Sequence, residues 1–480
     1  MEQKSISKNY IFNLSYQILL YVVPFVTTPY LSRVLAAEGV GRYSFAQSIV
    51  SYFVLAATMG TTLYGQRKIA SLRRDPAAQT AAFLEIFLLR IATTSAALLI
   101  YALVVLPLCG NPALYLVAAL DIVAVGVDLS WFFQGQEEFG VIAGCNGLCK
   151  LASVALIFLC VKSAADLNRY VLIYCGTAVL GFISEWLFVP RHFVHGCSID
   201  LHMPFRHIRP ALSLFVAQVA MQVYTVLDKT MIGVITRSDI QNGYYEQAQK
   251  LIHVLLAFAT SLGTVMASRM VMLWKEGRRD AIQEMIEVSF RMTAAVGLPI
   301  AAGVMLIAHR FVPIFYGDGF AGVVPLLYVL AALIPIIGCS NVLGVQYLIP
   351  TGQERFLTYS VLAGSATNVV LNALLISRFQ AVGAAIASVL AESCVTAVQI
   401  HIVQKEELNL KPLAGIFARY LVCCLPMAGV GVLVERVAPQ GIPGLALIIA
   451  VCAATYGAVL LLIRDPVVET LRIQIRQMRR

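Results

Sequence analysis

About fourteen stretches of about 20 apolar residues follow one another along this chain, parted by short polar breaks. They lie near 11–32, 42–63, 82–106, 113–133, 141–161, 169–189, 211–235, 249–271, 286–308, 323–349, 357–377, 383–403, 413–433 and 443–463. A run of that length crosses the hydrocarbon of a bilayer as a helix, which satisfies its own backbone hydrogen bonds where no water can. Composition points the same way: 59% of the residues are hydrophobic and 13% charged, whereas soluble domains carry about 25% charged residues. The pattern predicts an all-α polytopic membrane protein.

The connections segregate by charge. One alternating set holds twenty Lys and Arg, from Lys4 and Lys8 through Arg67, Lys68, Arg73 and Arg74 to the five arginines of 464–480. The other set holds eight, Arg33, Arg42, Lys162, Arg169, Arg237, Arg310, Arg378 and Arg436. The positive-inside rule therefore places both termini in the cytoplasm, and an odd number of spans would scramble the pattern. The same rule accounts for the formal charge of +9 without a nucleic-acid partner. Lys4 and Lys8 precede an apolar run longer than a signal-peptide core, so the first span reads as an uncleaved anchor.

The chain repeats itself. Gly41, Tyr43, Ala46 and Gln47 match Gly243, Tyr245, Ala248 and Gln249, and Thr58-Met-Gly-Thr61 falls on Ser261-Leu-Gly-Thr264. Gly135-Gln-Glu-Glu-Phe139 likewise echoes Gly352-Gln-Glu-Arg-Phe356. Both matches join segments six spans apart, and an even offset gives parallel repeats about an axis along the membrane normal. The expected organisation is an N-terminal six-helix bundle (1–190), a cytoplasmic linker (191–210), and a second six-helix bundle (211–404). Two extra spans (405–463) and a basic tail (464–480) that suits an interfacial helix complete it.

Soluble chemistry has little room here. The loops are short, and no Walker loop, zinc-protease helix, nucleophile elbow or dinucleotide fingerprint is present. No cofactor is implied. The 11 cysteines lie mostly inside apolar segments and act as small hydrophobes. The linker carries His192, His195, His202 and His207 beside Cys197, in a spacing that matches no familiar metal pattern.

Several charges nevertheless fall within spans, each costing about 2.5–3.5 kcal/mol at mid-membrane. They include Arg90, Asp121, Asp128, Lys150, Glu185, Asp228, Lys229, Lys250, Arg269, Glu287, Arg291, Glu392 and Arg419. Glu287 and Arg291 stand four apart and can neutralise each other. Lys250, Arg269, Arg33 and Arg42 sit near span ends and can snorkel. Asp121 and Asp128 share a face of span four, either as a proton or sodium site or as counter-charge to Arg90 and Lys150. Span seven carries Gln218, Gln222, Thr225 and Lys229 at helical spacing. Its counterpart, span one, carries Asn13, Gln17, Tyr21 and Thr28. The two stripes suggest walls of one polar cavity, against the plainer reading of hydrogen bonds in a packed bundle.

The chain resembles the O-antigen and capsule-type oligosaccharide repeat-unit flippases of the multidrug/oligosaccharidyl-lipid/polysaccharide exporter superfamily. Carrying the likeness are Thr28-Pro-Tyr-Leu-Ser-Arg33, Gly39-Val-Gly-Arg-Tyr-Ser-Phe-Ala-Gln-Ser48, Tyr64-Gly-Gln-Arg-Lys-Ile-Ala70 and Trp131-Phe-Phe-Gln-Gly-Gln-Glu-Glu-Phe139. Further on stand Asp228-Lys-Thr-Met-Ile-Gly233, Gly243-Tyr-Tyr-Glu-Gln-Ala-Gln-Lys250, Phe315-Tyr-Gly317, Gln346-Tyr-Leu-Ile-Pro-Thr-Gly352 and Gly383-Ala-Ala-Ile-Ala387. Met266-Ala-Ser-Arg-Met270 departs from the family, which usually has a bend-forming proline before that arginine.

The resemblance implies two six-helix bundles in a V with two helices appended. It also implies an undecaprenyl-diphosphate-linked oligosaccharide as cargo, moved to the outer leaflet of a bacterial plasma membrane. A polysaccharide polymerase and a chain-length regulator would be partners, beside the membrane lipid itself. On this reading Lys229, Arg33, Arg42, Lys250, Arg269 and Arg90 would hold the diphosphate, Arg by its planar fork and Lys as a point charge. Gln218, Gln222, Asn13 and Gln17 would line the sugar path. The rivals are an ion-coupled multidrug exporter, for which Asp121 and Asp128 would serve, and a polyprenol-dependent glycosyltransferase, which would need a long catalytic outer loop.

Overall fold

The structure is a computed structural model that describes residues 6–193, 205–260, 263–405 and 408–467. His195, Cys197 and His202 of the linker and the tail beyond 467 lie outside them. Every regular element among the described residues is helical. Ten helical runs are long and apolar enough to cross a membrane. Two of them each supply two spans: Ile6–Thr58 breaks at Ala36 (φ 55°) and Glu354–Lys405 at Gln380 (φ 52°). With Phe205–Thr236 and Asp239–Thr260 in the places of spans seven and eight, the total is about fourteen. At the second break the chain folds back so tightly that a Cβ on Gly383 would lie 2.4 Å from the Leu375 carbonyl oxygen.

The chain forms two compact units, Met1–Gly233 and Val234–Arg480, whose boundary falls inside Phe205–Thr236, past the linker. The repeated sequence motifs lie beside helix ends or turns in each. In the first unit the helix over 37–58 ends at Met59 (φ 41°) and Gly60 (φ 74°), and a separate helix, Thr61–Ser71, follows. In the second, Asp239–Thr260 is followed by Gly263–Lys275. Glu137 (φ 56°) turns the chain within the first Gly-Gln-Glu motif, and Gly352 (φ 75°) within the second. Span two therefore stops short of its expected end at 63. Gly60 explains the stop: it adopts a left-handed conformation, and a Cβ there would sit 2.3 Å from the Ala211 carbonyl oxygen. Gly263–Lys275 runs through Ser268 as one helix, as the missing proline allows.

Large apolar side chains face outward, as they should in lipid: Leu99, Leu103 and Leu159 are 61%, 67% and 70% exposed. Inside the first unit, Phe83 stacks on Trp131 with ring centroids 5.6 Å apart. Trp131 in turn covers Gly65, where a Cβ would approach the indole to 2.4 Å. This close approach fixes Thr61–Ser71 against Ser130–Gly135, and with it the environment of the buried charges.

Candidate functional site

Span four is not one helix. It runs as Pro112–Ala118, Leu120–Val127 and Ser130–Gly135, with Asp128 extended (φ −65°, ψ 122°) at the second break. The Asp128 side chain drives that break locally, because its Oδ1 accepts the Ser130 N–H at 2.8 Å and so competes with the helical pattern. A broken helix at membrane depth leaves backbone groups that lipid cannot satisfy. Buried side chains take them up. Arg90 donates Nε to the Val125 carbonyl (2.6 Å), Nη1 to Thr62 (3.2 Å) and Nη2 to Asp128 Oδ2 (3.1 Å). Trp186 donates to the Val127 carbonyl at 2.9 Å. Glu185 accepts the Leu129 N–H, the Ser130 hydroxyl and the Asn146 amide at 2.8–3.1 Å.

Two expected site residues meet in this geometry. Arg90 is 1% exposed and spends its donors inside the first unit. It presents nothing to an incoming diphosphate in this conformation. Asp128 is its counter-charge, one of the two roles the spacing allowed. Asp121 accepts from Gln47 Nε2 at 2.8 Å, and Lys150 lies over the Tyr174 ring, 4.1 Å from its centroid. Glu185, which the linear sequence did not single out among the span charges, has no ion pair among the described residues. Its signal was available only in three dimensions, since its partners lie 39–56 positions away.

The other expected cations lie nearer the surface. Arg33 is exposed and donates to the Pro29 carbonyl at 2.9 Å. Arg42 is exposed and paired with Glu38. Lys250 pairs with Glu246 at 2.9 Å on its own helix, and Arg269 is exposed. Lys229 is half-buried, next to the buried Asp228. Asn13, Gln218 and Gln222 are half-buried and Gln17 is exposed. No group of three or more His, Cys, Asp or Glu comes together among the described residues.

Phe205–Thr236 is held to its unit at both ends. Near one end Tyr52 and Thr230 share a hydrogen bond of 3.1 Å, and Thr230 donates to Ser48 at 3.1 Å. At the other, Glu85 Oε2 accepts from both Arg206 Nη2 and His207 Nε2 at 2.7 Å, while the Tyr64 hydroxyl meets His207 Nδ1 at 2.7 Å. Burial pushes the His207 imidazole below its ordinary pKa, against the opposing pull of Glu85. Gln218, Gln222 and Lys229 lie on the length of helix between these two attachments.

The family described as "Polysaccharide biosynthesis protein" matches residues 6–274. The chain belongs to that family. It is 22% identical over 408 residues to an Escherichia coli protein named "Putative O-antigen transporter", covering 84% of this chain and 98% of that relative. It is also 22% identical to the Haloferax volcanii "Probable low-salt glycan biosynthesis flippase Agl15" over 392 residues, 78% of this chain and 79% of the relative. The fold is that of "Lipid II flippase MurJ, inward closed conformation", with a TM-score of 0.74, 13% identity, and coverage of 95% of this chain and 100% of that one. An inward-facing MATE multidrug transporter shares it at a TM-score of 0.58 and 12% identity, over 82% and 98% of the two chains. The chain is thus a multi-pass helical member of that family, and the relatives it matches are named as a transporter and a flippase.

Proposed function

We propose that this protein carries a lipid-linked oligosaccharide from the cytoplasmic to the outer leaflet of a bacterial plasma membrane, for assembly of a surface polysaccharide. A sugar head group cannot cross hydrocarbon unaided, because each unpaired buried hydroxyl costs kilocalories. The observation that carries the reading is the pair of polar faces on spans one and seven. Asn13, Gln218, Gln222 and Lys229 stand on membrane-length helices yet are only partly buried, and Gln17 is exposed. Packing glue would bury such groups, whereas a wet path for a hydroxylated cargo needs them accessible.

The cycle is alternating access, with those faces opened to one side of the membrane and then the other. Lys229, Arg33, Arg42, Lys250 and Arg269 take turns along the diphosphate's route, and Gln218, Gln222, Asn13 and Gln17 hydrogen-bond the sugar. Both termini lie in the cytoplasm, in keeping with the charge of the connections. Replacing Lys229 with Ala should abolish most surface polysaccharide while the protein still reaches the membrane at wild-type abundance. Unchanged export in that variant removes Lys229 from the route. Export of cationic dyes, with normal surface polysaccharide in a deletion strain, would replace the whole reading with a multidrug pump.

A further inference from the structure

A cavity of about 420 Å³ opens in the second unit where span nine, Arg279–Phe315, meets span thirteen, Pro412–Val437, just beyond the end of span fourteen, Ile442–Leu462. Arg291, Gly415, Arg419, Tyr420 and Pro466 line it. A Cβ on Gly415 would meet nothing within 4 Å, so the wall is open at that point. The Arg419 head is fixed from behind: Asp465, whose side chain is fully buried, pairs with Nη2 at 2.9 Å and accepts the Tyr420 hydroxyl at 2.8 Å and the Val467 N–H at 3.0 Å. Arg291 has a single, long contact with Glu287, 3.5 Å. The two guanidinium-bearing side chains stay 37% and 47% exposed. A guanidinium has five donors, and among the described residues each of these two has one ion-pair partner, which leaves N–H groups for a ligand in the cavity they line.

We infer that this cavity seats the phosphate of an anionic glycerophospholipid. Two guanidiniums on one recess match a phosphate diester by shape and charge, and neutral headgroups gain nothing from them. The recess lies near the starts of spans nine and thirteen and the end of span fourteen. The neighbouring connections carry Lys275, Arg278, Arg279, Lys405, Lys411 and Arg464, so by charge this is the leaflet surface on the cytoplasmic side. One turn further along span thirteen, Leu421, Val422 and Leu425 are 57%, 63% and 64% exposed. They give this part of the span an exposed apolar face suited to acyl chains. The site joins span nine to spans thirteen and fourteen, and it does not depend on the nature of the cargo.

The test is lipid retention by the purified full-length chain in a neutral detergent, read by native mass spectrometry and by thermal unfolding. Phosphatidylglycerol should be retained and should raise the unfolding midpoint, with phosphatidylcholine of the same chains doing neither. Arg291→Gln combined with Arg419→Gln should weaken phosphatidylglycerol retention by about tenfold or more. Because Arg419→Gln also strips Asp465 of its partner, Arg291→Gln alone is the second variant; its exposed, long contact predicts normal unfolding without lipid and weakened retention. Retention unchanged in that variant, or equal retention of phosphatidylcholine, overturns the assignment. So does an equal effect of inorganic phosphate alone, or a preference for undecaprenyl phosphate over phosphatidylglycerol.

Discussion

Spans four and ten stand six spans apart, the offset of the repeated motifs, and both are interrupted, but they are mended by different chemistry. Span four breaks into an extended Asp128 and is closed by charges, Arg90 and Glu185 from neighbouring spans. Span ten runs as Val323–Leu330, Leu333–Leu343 and a π turn, Gly344–Leu348, without leaving the helical region. There the backbone mends itself, with the Ile349 N–H reaching the Gly344 carbonyl at 3.1 Å, and neutral amides lie beside it. Gln346 donates to Asn341 at 3.2 Å and Gln399 to Ser360 at 3.2 Å. A helix break can thus be closed by a buried ion pair in one span and by backbone and amides in another. Such a pair adds little net stability when intact but is costly to break.

The sharpest way to break this comparison is Arg90→Leu. It leaves Asp128 buried without a counter-charge and the Val125 carbonyl without a donor, for an expected loss of about 3–5 kcal/mol. Thermal unfolding in detergent and abundance in the membrane should both fall. Arg90→Met with Asp128→Asn should recover part of that loss, because Asn keeps the acceptor for the Ser130 N–H while removing the stranded charge. A double-mutant cycle reads the coupling, expected at about 1–3 kcal/mol. In span ten, Gln346→Leu should cost only about 1 kcal/mol, since it removes one neutral hydrogen bond and the π turn survives without it. If Gln346→Leu proved as damaging as Arg90→Leu, charge would not be what distinguishes the two breaks.

The same contrast shows what the linear sequence could and could not reveal. The spans and their all-helical character were legible because hydropathy acts locally. The two Gly-Gln-Glu motifs both sit at turns, with the positive φ at Glu137 in one and at Gly352 in the other. Asp121 and Asp128 were visible as charges in an apolar run, and the spacing left open whether they bound an ion or balanced Arg90 and Lys150. The choice between these needed the break at Asp128, a product of its own side chain turning to the Ser130 N–H. Glu185 stayed obscure for a related reason: it serves a backbone defect in another span, and periodicity says nothing about where a distant helix is broken. Arg33, Arg42 and Arg269 were easier, because position near a span end already predicts an exposed head.

The smallest expected effect sharpens the comparison through pH. Span three carries Glu85 five residues before Arg90, and Glu85 ties down the start of Phe205–Thr236 through Arg206 and His207. The titratable and charged groups facing His207 are Glu85, Tyr64, Arg206 and Lys68. Burial holds the imidazole below its ordinary value of 6.5, outweighing the favourable contact with Glu85. The unfolded chain therefore takes up this proton more readily than the folded one, so the stability it governs is complete above about 6.5 and declines as pH falls below that value. Between about pH 7 and pH 5 the unfolding midpoint of the wild type should drop more than that of His207→Gln, which keeps a donor for Glu85 but cannot titrate. The amide-mended span ten offers no such group, and Gln346→Leu should leave the pH dependence unchanged. Equal slopes for the wild type and His207→Gln would mean that the attachment of the seventh span holds without regard to protonation, leaving the first unit's charges purely structural.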